Sequence, residues 1–158
     1  MKTVITNDFI AFARNRFRLD WEGIHGAPHW SRVRHNGLLL AEHHHVDTAV
    51  IQWFAFLHDL ERHDDWEDPL HGHRAAKLAA EINADFMQLS TGQLDQLQAA
   101  CRGHSDGDTE AEATVMVCWD ADRLDLGRVG ICPDPQYLCT DSAKQAEFLD
   151  AAYDRSIL

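Results

Sequence analysis

The stretch that most constrains this chain is Asp47 to Asp59, DTAVIQWFAFLHD, an apolar segment that ends in His58 and Asp59. Val46, Val50, Trp53, Phe54 and Leu57 recur at i, i+4, i+7, i+8 and i+11, the period of one helical face, and predict a helix with His58 and Asp59 as its last residues. An aspartate at the end of a buried stripe needs a partner, because a carboxylate is rarely buried unless paired or bound to metal. A divalent cation suits an imidazole nitrogen and a carboxylate together.

The chain around this helix is short. Its 158 residues predict one domain, 1–158, long enough to bury one sizeable core. No apolar run approaches the roughly 20 residues that span a bilayer, and the first residues make a poor signal peptide. The four cysteines, Cys101, Cys118, Cys132 and Cys139, form no CxxC pair and read as reduced thiols of a cytoplasmic protein. A net charge of −12 excludes a nucleic-acid scaffold with a basic face, but not a small anionic substrate held by local arginines. Eleven histidines exceed what the surface of such a chain requires, although neighbours in the run His43–His45 cannot all face one site.

Six further segments complete an all-α reading. Phe9, Ile10, Phe12, Ala13 and Phe17 mark an amphipathic helix over 6–17, with Arg14, Arg16 and Arg18 suited to its C-terminal dipole. Pro28 sits at the start of a helix beginning near His29, in which Gly37 is a weak point. Residues 62–69 are polar and read as loop; Ala75, Leu78, Ala79, Ile82 and Phe86 then form a stripe, with His71 and His73 at its start. Residues 90–101 predict another helix, with His104 in the turn after it. Thr109 with Glu112 resembles a capping box before an apolar helix over 111–126, into which Asp120, Asp122 and Asp125 intrude. Pairing with Arg123 and Arg128 is the bland explanation of those carboxylates. A closing helix is expected from about Asp141. The expected architecture is a bundle of six to seven helices without strands.

His29, His58, Asp59 and a late aspartate form a mixed nitrogen and oxygen donor set. Such a set suits Mn, Fe, Co, Ni, Zn or Mg as divalent ions and excludes a thiolate-type structural zinc site. Helical periodicity admits either Asp120 or Asp122 as the last ligand.

The ordered set of GAPHWSRV, FLHDLER and DADRLD, spanning about 20–130, resembles the HD-domain superfamily of metal-dependent phosphohydrolases. The resemblance selects Asp122 as the last ligand. It also places His71, in HGHRAA, and His104, in CRGHSDG, as two further ligands of a second ion, with Asp59 as the bridge. One ion, or two, is therefore expected. The resemblance implies hydrolysis of a nucleotide or other small phosphate ester. Arg32, Arg62 and Arg123 stand beside the ligands as candidate phosphate-binding cations, each with a salt bridge as the competing role, and Asp59 is the central catalytic carboxylate. His25 and His73 are candidate outer hydrogen-bond partners. Trp30 and Trp66 could stack on a base, packing being the alternative. The triplet GYP that marks the cyclic-dinucleotide branch is missing after Gly107, so that substrate is not expected. Two alternatives remain open: a di-iron HD-type oxygenase using the same six ligands, and a non-catalytic metal-binding sensor or interaction module. Oligomeric state is not legible.

Overall fold

Seven α-helices run through the computed structural model, which describes residues 3–158: α1 (Asn7–Arg16), α2 (Ala27–Ala41), α3 (Thr48–Leu57), α4 (His71–Ile82), α5 (Thr91–Gly103), α6 (Ala113–Arg123) and α7 (Ala146–Ser156). No strand occurs among the described residues. None of these helices is long and apolar enough to cross a membrane.

The central helix is α3. Val50, Ile51, Trp53, Phe54, Ala55 and Leu57 are all buried, and so is the polar Gln52. A helix buried almost all round must be enclosed by others, and α2, α5, α6 and α4 supply that enclosure. The expectation of a single apolar face was too narrow. Asp47 caps α3, its carboxylate accepting from the Ala49 and Val50 amides at 2.9 and 3.2 Å. The helix ends at Leu57, two residues earlier than expected, so His58 is its C-cap and Asp59 lies in the following turn.

Helix α1 packs by aromatic contact. The Phe9 ring stands edge-on to Trp53 at 4.9 Å, and Trp30 is met edge-on by Phe17 and Trp21 at 5.0 and 5.2 Å. Helix α2 begins at Ala27 with Pro28 in its first turn, two residues before the expected start. Gly37 is helical after all: a Cβ there would stand 2.5 Å from Ile51 Cγ2, so the glycine lets α2 approach α3 closely.

Several other boundaries differ. Glu112 is itself the N-cap of α6, accepting from the Thr114 amide at 3.1 Å, and no Thr109 capping box forms. A capping box does close the start of α5, where Ser90 and Gln93 bond reciprocally. After Ile82 the α4 stripe continues as one π-helical turn, Asn83–Met87. The closing helix starts at Ala146, later than Asp141, because Asp120 organises the segment before it. That buried carboxylate accepts from the Cys139 amide at 2.6 Å, the Thr140 amide at 2.8 Å and the Thr140 hydroxyl at 2.7 Å. The four cysteines are free thiols.

Candidate metal centre

Three helix ends and two helix starts converge on Asp59. His29 comes from the first turn of α2, His58 from the cap of α3, His71 from the first residue of α4, His104 from the cap of α5 and Asp122 from the last turn of α6. His29 and His58 are wholly buried, and Asp59, His71 and His104 are 2, 2 and 5% exposed. All six candidate ligands from the sequence are therefore brought together.

The two oxygens of Asp59 divide the site. Oδ2 lies 3.5 Å from His29 Nε2 and 3.4 Å from His58 Nε2. Oδ1 lies 3.2 Å from His71 Nε2 and 3.6 Å from His104 Nε2. Asp122 Oδ1 joins the first pair, 3.3 Å from His29 Nε2 and 3.6 Å from His58 Nε2. Asp120 is turned away to Cys139 and Thr140, so geometry as well as resemblance favours Asp122.

Every one of the four imidazoles is oriented by its other nitrogen. His58 Nδ1 donates to the Phe54 and Ala55 carbonyls at 3.1 and 3.2 Å, His104 Nδ1 to the Cys101 carbonyl at 2.7 Å, and His71 Nδ1 to the Asp68 carbonyl. His29 Nδ1 faces Asp125 Oδ2 at 2.6 Å. A carbonyl only accepts, so a neutral ring held this way presents its Nε2 lone pair inward. The lone pairs meet closely: His29 Nε2 and His58 Nε2 are 3.1 Å apart, His71 Nε2 and His104 Nε2 2.8 Å. Lone pairs at that distance repel unless a proton or a cation lies between them. Donor atoms about 2.1 Å from one ion are separated by about 3.0 Å in octahedral and about 3.4 Å in tetrahedral geometry. The observed separations, 2.8 to 3.6 Å, bracket both values. The donor set therefore fits one divalent ion at His29, His58, Asp59 and Asp122, and a second at Asp59, His71 and His104.

The charge balance of the centre is compatible with a cation. Burial would push the His29 imidazole down, and Arg128 adds to that, yet hydrogen bonds to Asp122, Asp125 and Asp59 hold it up at about 9. Burial would lift Asp59, but the charge of His58 and hydrogen bonds from His104, His29 and His58 keep it well below the usual carboxylate range. Asp122 is lowered likewise, the hydrogen bond from His29 and the charge of His58 outweighing its burial. The carboxylates thus draw in a positive charge, which is a proton on His29 when no ion is bound.

The three candidate arginines separate. Arg62 Nε donates to Asp59 Oδ1 at 3.1 Å and Nη1 to the Asp64 carbonyl at 2.8 Å, so it braces the Asp59 carboxylate. It also lines a cleft of about 400 Å³ shared with His71, Trp66, Ser105 and Asp106. Arg32 grips Asp125 with two bonds, 2.6 and 3.1 Å, and so acts on His29 through that carboxylate. Arg123 points elsewhere: Nη1 donates to the Tyr137 carbonyl at 2.9 Å, and the guanidinium lies over Trp119. Its expected role beside the last ligand is corrected, because neighbouring helical residues are turned about 100° from one another.

Among the outer candidates, His25 Nδ1 bonds Asp65 Oδ1 at 2.7 Å, Trp30 is wholly buried in the aromatic core, and His73 is exposed. Asp125 is the residue whose role the sequence did not disclose. It is wholly buried and holds His29, whereas its expected partners were Arg123 and Arg128. Arg128 Nε is 4.0 Å from Asp125 Oδ2, at the limit of an ion pair, and donates instead to the Ile24 carbonyl at 2.7 Å.

The chain matches no protein-family model, no curated protein and no solved structure.

Proposed function

We propose that this protein is a metal-dependent phosphohydrolase of the HD-domain kind, acting on a nucleotide or other small phosphate ester. One observation carries the reading: a buried carboxylate, Asp59, shares its two oxygens between two histidine pairs whose Nε2 atoms converge. Two ions bridged by a carboxylate are suited to in-line displacement at phosphorus. Bound there, they would supply Lewis acidity to the phosphoryl oxygens and a water deprotonated near neutral pH.

The protein's own groups do the rest. The backbone carbonyls and Asp125 fix four rings with Nε2 inward, so no side chain need reorganise during turnover. Arg62 holds Asp59 and lines the cleft, and its guanidinium would meet a phosphoryl oxygen there. The absence of cysteine sulfur from the donor set argues for an open catalytic site over a closed structural zinc.

The test is a screen of phosphate esters against protein loaded with Mn²⁺, Co²⁺, Ni²⁺, Zn²⁺ or Mg²⁺, beside Asp59→Asn. Metal-dependent release of phosphate, lost in the variant, is the expected result. Two irons with a mixed-valence signal and no ester turnover would replace this reading by the oxygenase. A metal whose removal unfolds the protein, again without turnover, would replace it by a non-catalytic metal-binding module.

A further inference from the structure

Trp66 is 84% exposed, at the rim of the roughly 400 Å³ cleft that reaches His71. A bare indole costs solvation, and surface tryptophans usually lie against something apolar. Trp66 does not hang from a loose loop. Asp64 Oδ1 accepts from the Trp66 amide at 2.6 Å and the Glu67 amide at 3.1 Å, while Arg62 is tied to the Asp64 carbonyl. Asp68 accepts from the His63 amide at 2.8 Å and is gripped by Arg74, which also holds the Glu61 carbonyl at 2.9 Å. The loop backbone is braced from both ends, and the exposed indole projects from that braced segment.

The rest of the cleft has a definite polarity. Arg62, which touches Asp59, is its cation at the metal end. Ser105 and the carboxylates of Glu67 and Asp106 also line it, and neither carboxylate has a salt-bridge partner among the described residues. Asp68 is neutralised by Arg74. Arg62, the residue of this lining that touches Asp59, is therefore where anionic charge fits, and Ser105, Glu67 and Asp106 accept hydrogen bonds.

We propose that this cleft is the leaving-group subsite and that Trp66 selects its occupant: a phosphate monoester whose alcohol carries a planar heteroaromatic ring with N–H donors and no charge of its own. The ring stacks on Trp66, its donors meet Ser105 and Asp106, and the single phosphate lies between Arg62 and the histidine pairs. Nucleoside monophosphates have this chemistry; di- and triphosphates would set anionic charge against Glu67 and Asp106. The reaction breaks the ester P–O bond and joins the oxygen of water to phosphorus, leaving inorganic phosphate and the neutral, protonated alcohol. The inference rests on the phosphohydrolase reading above.

The experiment compares adenosine 5′-monophosphate with glycerol phosphate on metal-loaded protein, its Trp66→Ala variant and its Trp66→Phe variant. Stacking on an aromatic side chain is commonly worth tenfold or more. The expected result is a KM for the nucleotide raised about tenfold more than that for glycerol phosphate in Trp66→Ala, with Phe restoring most of the difference. An equal change for both esters, or none, overturns the subsite while leaving the hydrolase standing. Independently of turnover, the Trp66 indole N–H signal of the Zn²⁺-loaded protein should shift on titration with the nucleotide and not with glycerol phosphate. No shift with either overturns the inference even if both esters are hydrolysed. If neither ester is hydrolysed, the wider ester screen decides the phosphohydrolase reading, and absence of an indole shift with the nucleotide overturns the subsite.

Discussion

His29 Nδ1 lies 2.6 Å from Asp125 Oδ2, although 96 residues separate the two in sequence. Arg32, one turn beyond His29, grips the same carboxylate at 2.6 and 3.1 Å. The triad fixes the imidazole so that Nε2 faces Asp59 and Asp122. Such outer partners commonly contribute 10- to 100-fold to metal affinity. Asp125→Asn should therefore weaken binding at the His29 pair by about that factor, read by competition with a chelator, while circular dichroism stays that of a helical bundle. Unchanged affinity would make Asp125 a mere salt-bridge partner of Arg32.

Gly72 tests the second pair from the side. A Cβ there would stand 2.3 Å from the Cys101 carbonyl oxygen and 3.2 Å from His104 Nδ1. The Cys101 carbonyl is also the acceptor for His104 Nδ1. Gly72→Ala should push α4 from α5, lower stability by the ~1–3 kcal/mol typical of overpacking, and lose the ion of the His71–His104 pair first. Loss of the other ion first would mean that Asp59 does not divide the site as its distances indicate.

Arg123 provides a contrast. It anchors the Tyr137 carbonyl and lies over Trp119, away from the histidines. Arg123→Met should lower the melting temperature and leave metal stoichiometry unchanged. A lost ion would return Arg123 to the centre.

The loop that carries Trp66 has an acid limit. Burial alone would lift the Asp68 carboxyl, but hydrogen bonds from Arg74 and the His63 amide, with the charge of Arg74, hold it at about 2. A depressed folded value means that Asp68 adds stability above the ordinary carboxylate value near 4, and that this is lost as pH falls from about 4 to 2. Thermal melts of wild type and Asp68→Asn should differ at pH 6 and converge as the pH approaches 2. A difference that persists at pH 2 would assign the effect to packing.

The sequence discloses what local chemistry dictates and hides what distant contacts decide. Helix α3 was legible because its apolar residues keep a 3.6 period, and His58 and Asp59 because polar groups ending such a run need a partner. Asp122 was distinguished from Asp120 only by resemblance, since both intrude on the same buried helix. Their roles differ because Asp122 faces α2 and α3, while Asp120 gathers the Cys139 and Thr140 amides. The purpose of Asp125 was hidden because its partners lie 93 and 96 residues away on α2. Arg123 misled for the converse reason: adjacency along a helix is not adjacency in space. The late start of α7 follows from the Asp120 bonds, which no local pattern announces.

The measurement that bears most directly on the two-ion centre is metal analysis of untagged protein beside His71→Ala and Asp59→Ala. The account predicts two equivalents of a divalent metal in the wild type, one in His71→Ala and none in Asp59→Ala, with all three folded by circular dichroism. No bound metal in the folded wild type, even after incubation with Mn²⁺, Co²⁺ and Ni²⁺, would contradict it and leave the histidine pairs joined by protons alone.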